Sequence, residues 1–204
     1  MPHADNHGPS RFNGCVPYLY NNRCWFILNN KGGTDKKIMN RIFHQLEAMQ
    51  SHYSRMFVSQ FILFPPKATY DNRLISDYFK ALIYRLQVEY GCQIGYIWVR
   101  ERDKAEKQHY HCALYMNGHK VQHSGRVLDI ARTLWTDLYQ GGFPIPENNY
   151  YMAERFAKDN GQSMQAVITR LSYLAKNATK GMHSREVKRY NTSRIKPKVV
   201  APFS

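Results

Sequence analysis

The run Gln108-His109-Tyr110-His111-Cys112-Ala113-Leu114-Tyr115-Met116 sets two imidazoles two residues apart in a stretch with strand-like alternation. Side chains of a strand alternate between faces, so His109 and His111 share one surface. Tyr110, Cys112, Leu114 and Met116 share the other, which reads as the core side. Two neutral imidazoles fixed side by side are a pair of ligands for a divalent metal. A pair of solvent-facing histidines satisfies the same spacing.

A second chemical group lies about sixty residues downstream, in the helical pattern Gln162 to Ala178. Met164, Val167, Ile168, Leu171, Leu174, Ala175 and Ala178 form one apolar stripe. At about 100° per residue Tyr173 falls nearly opposite that stripe, with Lys176 and Asn177 flanking it. Lys180 shares its side if the helix reaches that far. An ammonium beside a phenol favours the phenolate and can hold a phosphate oxygen. An ordinary surface tyrosine on an amphipathic helix is the competing reading. Taken with a histidine-held metal that polarises a phosphate, Tyr173 can attack phosphorus and form a phosphotyrosine. Such a link keeps the energy of the phosphodiester, so a cut strand can be rejoined.

The elements that must position these groups follow from periodicity. Cys24 to Asn29 reads as a short apolar strand, broken by Gly32-Gly33. Thr34 is placed to cap a helix running to about Gln50, with Ile38, Met39, Ile42, Phe43, Leu46 and Met49 inward. Met56 to Phe64 is a strand stopped by Pro65-Pro66. Asn72 to Tyr90 is a helix ended by Gly91. Ile94 to Arg102 and His109 to Met116 are strands joined by the charged connector Asp103 to Lys107, hence a hairpin. Arg126 to Tyr139 is a helix, Gly141 to Asn149 a loop. From Lys180 the chain reads as basic and irregular. Strands and helices in this order predict an α+β fold: a central antiparallel sheet with packed helices.

Composition bounds the partners. The chain has 204 residues, 43% of them apolar, with 29 Lys plus Arg against 15 Asp plus Glu, a net charge of +14. That length suits one domain, read as residues 15–180, with a disordered leader over 1–14 and a basic tail over 181–204. A charge of this sign points to a polyanion, and nucleic acid is the commonest soluble one. Arg185, Lys188, Arg189, Arg194, Lys196 and Lys198 in the tail are suited to neutralise phosphates without reading sequence. No stretch approaches a membrane span, and the N-terminus has no apolar signal core. Four scattered cysteines without a C-x-x-C argue against a disulfide framework or zinc ribbon and for a reducing cytoplasm.

The ordered set His109-Tyr110-His111 and Tyr173-Leu174-Ala175-Lys176 resembles the HUH endonuclease superfamily. Val99-Arg100-Glu101, Leu114, Asn117, the helix bearing Trp135, Lys180, Arg189 and Ser193-Arg194 narrow the likeness. They resemble the inovirus gene-two-type proteins and the YagK/YfjJ family of prophage-like elements, over residues 55 to 195 or so. The resemblance implies a five-stranded antiparallel sheet related to the ferredoxin-like fold. It also implies Mg²⁺ or Mn²⁺ and a single-tyrosine mechanism in which Tyr173 keeps the 5′-phosphate and leaves a 3′-OH. Lys176 and Lys180 would assist. The DNA would be a single strand or an origin hairpin in a bacterial host cell, and host helicase and polymerase would be partners, since the chain has no P-loop. The third metal ligand in such sites is usually acidic, polar or another histidine. Glu101 fits, because it ends the strand that a hairpin returns to His109. A solvated charge beside Arg100 and Arg102 is the alternative reading of Glu101, and Asp103 and Glu106 in the turn are weaker choices.

Three alternatives stay open on the sequence. His119-x-x-x-His123 near His111 has zinc-like spacing, although Cys112 should face away. A non-catalytic DNA-binding regulator would need the same basic residues. A relaxase or transposase would use the same chemistry.

Overall fold

The computed structural model of the protein describes residues 14–102, 107–156, 158–159, 161–177 and 187–199. Seven strands and four helices follow in the order β1 (Cys15–Tyr20), β2 (Arg23–Leu28), α1 (Lys36–His52), β3 (Arg55–Leu63), α2 (Arg73–Tyr90), β4 (Gly95–Glu101), β5 (His109–Asn117), α3 (Gly125–Tyr139), β6 (Tyr150–Glu154), α4 (Gln162–Ser172) and β7 (Tyr190–Thr192). β6, β3, β5, β4 and β7 form one five-stranded antiparallel sheet in that spatial order. The fold is α+β, and the histidine strand β5 is its central strand.

The sheet is covered on both faces. Tyr110, Cys112, Leu114 and Met116 of β5 pack with α2 and α3 around Trp98, Tyr78 and Trp135. On the opposite face Ala113 and Tyr115 continue the line of the histidines and pack with α1 and α4. The histidine face is therefore a second core, and its end near His109 and His111 is partly exposed. This is why β3 and β5 read as nearly continuous apolar runs.

Three strands lie outside the elements the sequence suggests. β1 and β2 form a separate two-stranded hairpin whose Tyr20 stacks on Phe43 of α1, with ring centroids 4.1 Å apart. The apolar run from Cys24 thus covers a helix instead of joining the main sheet. β6 borders β3. β7 lies within the segment expected to be an irregular tail, yet Tyr190 pairs with Val99 and Thr192 with Ile97. Beyond it the Ser193 amide donates to the Tyr96 carbonyl (2.9 Å), and the Lys198 amide donates to Ser51 Oγ (2.7 Å). The described part of the basic C-terminal segment is thus built into the sheet edge and laid along α1. The leader over residues 1–14 falls outside the described residues except for Gly14. No helix among the described residues is long and apolar enough to cross a membrane.

Candidate metal and nucleophile site

Register brings the site together. β4 and β5 pair so that Glu101 is directly opposite His109 and Val99 opposite His111. Glu101, His109 and His111 therefore project from one face at one end of the sheet. The two histidine Nε2 atoms are 3.2 Å apart, and Glu101 Oε2 is 3.6 Å from His109 Nε2 and 3.4 Å from His111 Nε2. All three donors lie within 4.8 Å of one another, and the histidines are only partly exposed. Two imidazole nitrogens and one carboxylate oxygen aimed at a common point fit a divalent cation, and this group could hold one. The donors are borderline to hard, so they do not select one metal ion from its neighbours.

Glu101 is not a solvated hairpin charge: its side chain is fully buried. Arg100 beside it is also buried but points to the other face. There its guanidinium donates to the carbonyls of Thr69 and Asp71, the latter at 2.9 Å. A buried carboxylate needs positive or hydrogen-bonding partners. Besides the imidazoles, Glu101 has the Lys176 ammonium, with Nζ 3.3 Å from Oε2.

Tyr173 arrives from the opposite layer. The apolar stripe of α4 is buried as its spacing predicts, with Val167, Ile168 and Leu171 at most 1% exposed. The helix, expected to run to Ala178, stops at Ser172. Tyr173–Ala175 forms a 3-10 turn and Lys176 is extended, at φ −61° and ψ 140°. The cause is the lead into α1. Lys176 bridges Thr34, the Asp35 amide donates to the Ala175 carbonyl (2.7 Å), and the Asn177 amide donates to the Gly33 carbonyl (3.0 Å). Asp35, not Thr34, caps α1 by accepting from the amides of Lys37 and Ile38.

The turn places the Tyr173 ring edge-on to His111, with centroids 5.3 Å apart. Lys176 Nζ donates to the Tyr173 hydroxyl at 2.5 Å and stands 3.9 Å from the centre of its ring. The phenol, the ammonium, the carboxylate and the two imidazoles therefore form one contiguous polar cluster.

The remaining sequence candidates fall elsewhere. Lys180 and Arg185 lie outside the described residues, as do Asp103 and Glu106. Lys188, Arg194, Lys196 and Lys198 are exposed along the β7 edge. Arg189, expected to meet phosphate, instead forms a 2.7 Å ion pair with Asp35. The zinc-like pair does not assemble with Cys112. His119 Nε2 is 3.1 Å from Ser54 Oγ, and His123 Nδ1 is 3.4 Å from the Tyr150 hydroxyl. Cys112 is buried on the far face.

Two positions near the site escape a sequence reading. Phe64, just beyond β3, is 41% exposed and stacks on His109 with centroids 5.2 Å apart. Arg170, one turn before Tyr173 on α4, donates to Gln60 Oε1 at 3.1 Å. Gln60 is two residues along β3 from the partner of His111, on the same face. A polar Gln inside an otherwise apolar strand is the one signal that marks it.

Known proteins supply a family and little more. The YagK/YfjJ C-terminal domain matches residues 20–189. The uncharacterized protein YagK of Escherichia coli (strain K12) is 30% identical over 104 residues, which is 45% of this chain and 50% of that protein. The chain thus spans about half the length of this curated relative. No solved structure matches it. With a match running from the last residue of β1 to the residue before β7 and enclosing both histidines, Glu101, Tyr173 and Lys176, the chain belongs to the YagK/YfjJ family.

Proposed function

We propose that the protein is a divalent-metal-dependent DNA nicking–joining endonuclease of HUH type that initiates rolling-circle replication of a phage or mobile element. The observation that carries this reading is the placement of the Tyr173 hydroxyl, held by Lys176 and set against His111, beside a carboxylate–bis-imidazole group. A covalent phosphotyrosine keeps the phosphodiester energy, which attack by water would lose.

Glu101, His109 and His111 would hold the ion, Mg²⁺ or Mn²⁺. Bound there, it would supply Lewis-acid polarisation of a non-bridging phosphate oxygen. Tyr173 Oη forms the new bond to phosphorus, and the bond from phosphorus to the 3′-oxygen breaks. The electron pair leaves with that oxygen, which takes up a proton and becomes a free 3′-OH. The phenol proton is lost to water. Lys176 donates to the hydroxyl and keeps it pointed at the site. The strands that carry the ligands lie between two cores, which limits the reorganisation the groups need.

Net charge supports DNA as substrate, and the exposed Lys188, Arg194, Lys196 and Lys198 supply sequence-independent phosphate contacts. The strand would be single-stranded or an origin hairpin, opened and copied by host helicase and polymerase, in the cytoplasm of a bacterial host cell. A relaxase or transposase would share every step above.

A labelled oligonucleotide tests the reading. With the label at the 3′ end, wild type and Mn²⁺ should give an adduct stable to detergent, while a 5′ label should leave on a fragment ending in 3′-OH. Tyr173→Phe keeps the ring against His111 and should lose the adduct entirely. Persistent nicking by Tyr173→Phe overturns the assignment of the nucleophile.

A further inference from the structure

The chain beyond β3 turns at Pro65-Pro66 and runs on to α2 around the end of the sheet that carries the metal ligands. Its first residue, Phe64, lies on the histidine face and stacks on His109 at an interplanar angle of 16°. Lys67 and Tyr70 of the same segment are exposed, Tyr70 at 86%. An exposed, aromatic segment of this kind is ordinarily mobile. Here it is clamped at both ends.

At the first end, Phe64 exchanges both backbone hydrogen bonds with Gly142, each at 2.9 Å. Gly141 next to it allows no side chain. A Cβ there would come 2.2 Å from Trp135 Nε1 and 2.5 Å from the Phe64 carbonyl oxygen. At the second end, two buried polar residues hold Thr69 and Asp71 on either side of Tyr70. Gln108 donates to Thr69 Oγ1 (2.6 Å) and accepts from the Thr69 amide (3.2 Å). Arg100 donates to the carbonyls of Thr69 and Asp71. Arg100 and Gln108 are 3% and 1% exposed, and each is the chain neighbour of a metal-ligand candidate, Glu101 and His109. Burying an arginine and a glutamine is costly unless their hydrogen bonds are needed. What these bonds accomplish is to fix the aromatic segment relative to the ligands.

We propose that residues 64–71 are a base-stacking platform for the single strand next to the scissile phosphate. Phe64 offers its free face to a base, and the exposed Lys67 of the same segment offers charge to a neighbouring phosphate. This rests on the nicking reading for its substrate. Single-strand binders combine aromatic faces with basic charge in this way, and the stacking is tolerant of sequence because every base has a π face. Neither group is needed to hold a metal.

The test is a two-by-two cycle of binding affinities, without metal, on oligothymidylate and on an abasic strand of the same length. Wild type should prefer oligothymidylate. Phe64→Leu keeps the bulk over His109 and removes the ring. It should weaken oligothymidylate binding by roughly tenfold and leave abasic binding nearly unchanged. Phe64→Trp should bind as well as wild type or better. Equal losses on both strands, or none on either, would overturn the platform and leave Phe64 as packing for His109. Wild type that ignores oligothymidylate also overturns it. The covalent-adduct assay judges the nicking reading separately: binding that follows the cycle without any adduct would retain the platform and reject the endonuclease.

Discussion

Replacing Lys176 by Met probes the centre of the site through stability alone. Met fills the volume of the lysine stem and removes the ammonium. In the wild type Nζ lies 3.3 Å from Glu101 Oε2, with the lysine side chain 13% and the carboxylate 0% exposed. At that distance the pair attracts by about 5 kcal/mol at an effective dielectric of about 20. Desolvation offsets much of this in the intact pair, but removing one partner strands the other, at a typical cost of about 3–5 kcal/mol. We expect Lys176→Met to lose about 3 kcal/mol at pH 8 in chelator, a fall in Tm on the order of 6–12 °C for a domain of this size. Glu101→Gln in the same background should recover part of the loss, because the amide needs no counter-charge. Mn²⁺ should also stabilise Lys176→Met more than wild type, since no ammonium then competes for the carboxylate. Urea and thermal unfolding followed by circular dichroism give these values. An unchanged midpoint in Lys176→Met, or a strictly additive double variant, would show that the carboxylate and the ammonium do not depend on one another.

Further outcomes follow from the same geometry. His109→Ala and His111→Ala should each weaken Mn²⁺ binding at least tenfold by isothermal calorimetry while the far-ultraviolet circular dichroism stays that of wild type, because the sheet does not need the imidazoles to pair. Gly141→Ala should destabilise by about 2–3 kcal/mol or more in urea, since its Cβ would meet the Phe64 backbone and the Trp135 ring at 2.7 Å or less. Burial pushes the Cys112 thiol well above its ordinary pKa, so at pH 8 iodoacetamide should label exposed Cys24 and spare Cys112 until the protein unfolds, as peptide mass mapping would show.

The parts of the site that were legible in the sequence are those set by regular periodicity. The two-residue alternation of β5 put both histidines on one face. The hairpin logic of β4 and β5 put Glu101 opposite His109, and the register agrees. The stripe of α4 left Tyr173 outside the core. What the sequence hid depends on contacts between distant segments. β7 has only three residues, in a segment whose charge dominates its composition, and it is a strand because β4 has an edge to fill. β6 has five residues, four of them partly exposed or exposed, and borders β3 for the same reason. The sequence left open whether the histidines face solvent, and it could not show that α1 and α4 cover the rest of their face, since that depends on where the helices pack. The solvated reading of Glu101 failed for the same reason, and Arg100 beside it lies buried under the segment it braces.

The early end of α4 is the departure with most consequence for the chemistry. Had the helix continued, the backbone around Lys176 would have kept helical hydrogen bonds and could not have bridged Thr34. As an extended residue after a 3-10 turn, Lys176 reaches both the Tyr173 hydroxyl and Glu101, on the adjoining helix and sheet layers. Asp35 holds that turn in place through three kinds of contact. Its side chain caps α1, its amide binds the Ala175 carbonyl, and its carboxylate pairs with Arg189. Arg189 in turn gives its backbone carbonyl to the Arg100 amide at 2.8 Å, one residue from Glu101. One aspartate thus connects the helix that covers the sheet, the turn that carries the phenol and the strand edge beside the carboxylate. The position of Tyr173 relative to Glu101 is therefore fixed by the start of α1 as much as by α4. It also explains why an arginine that looks like part of a phosphate-binding tail belongs, physically, to the framework of the site.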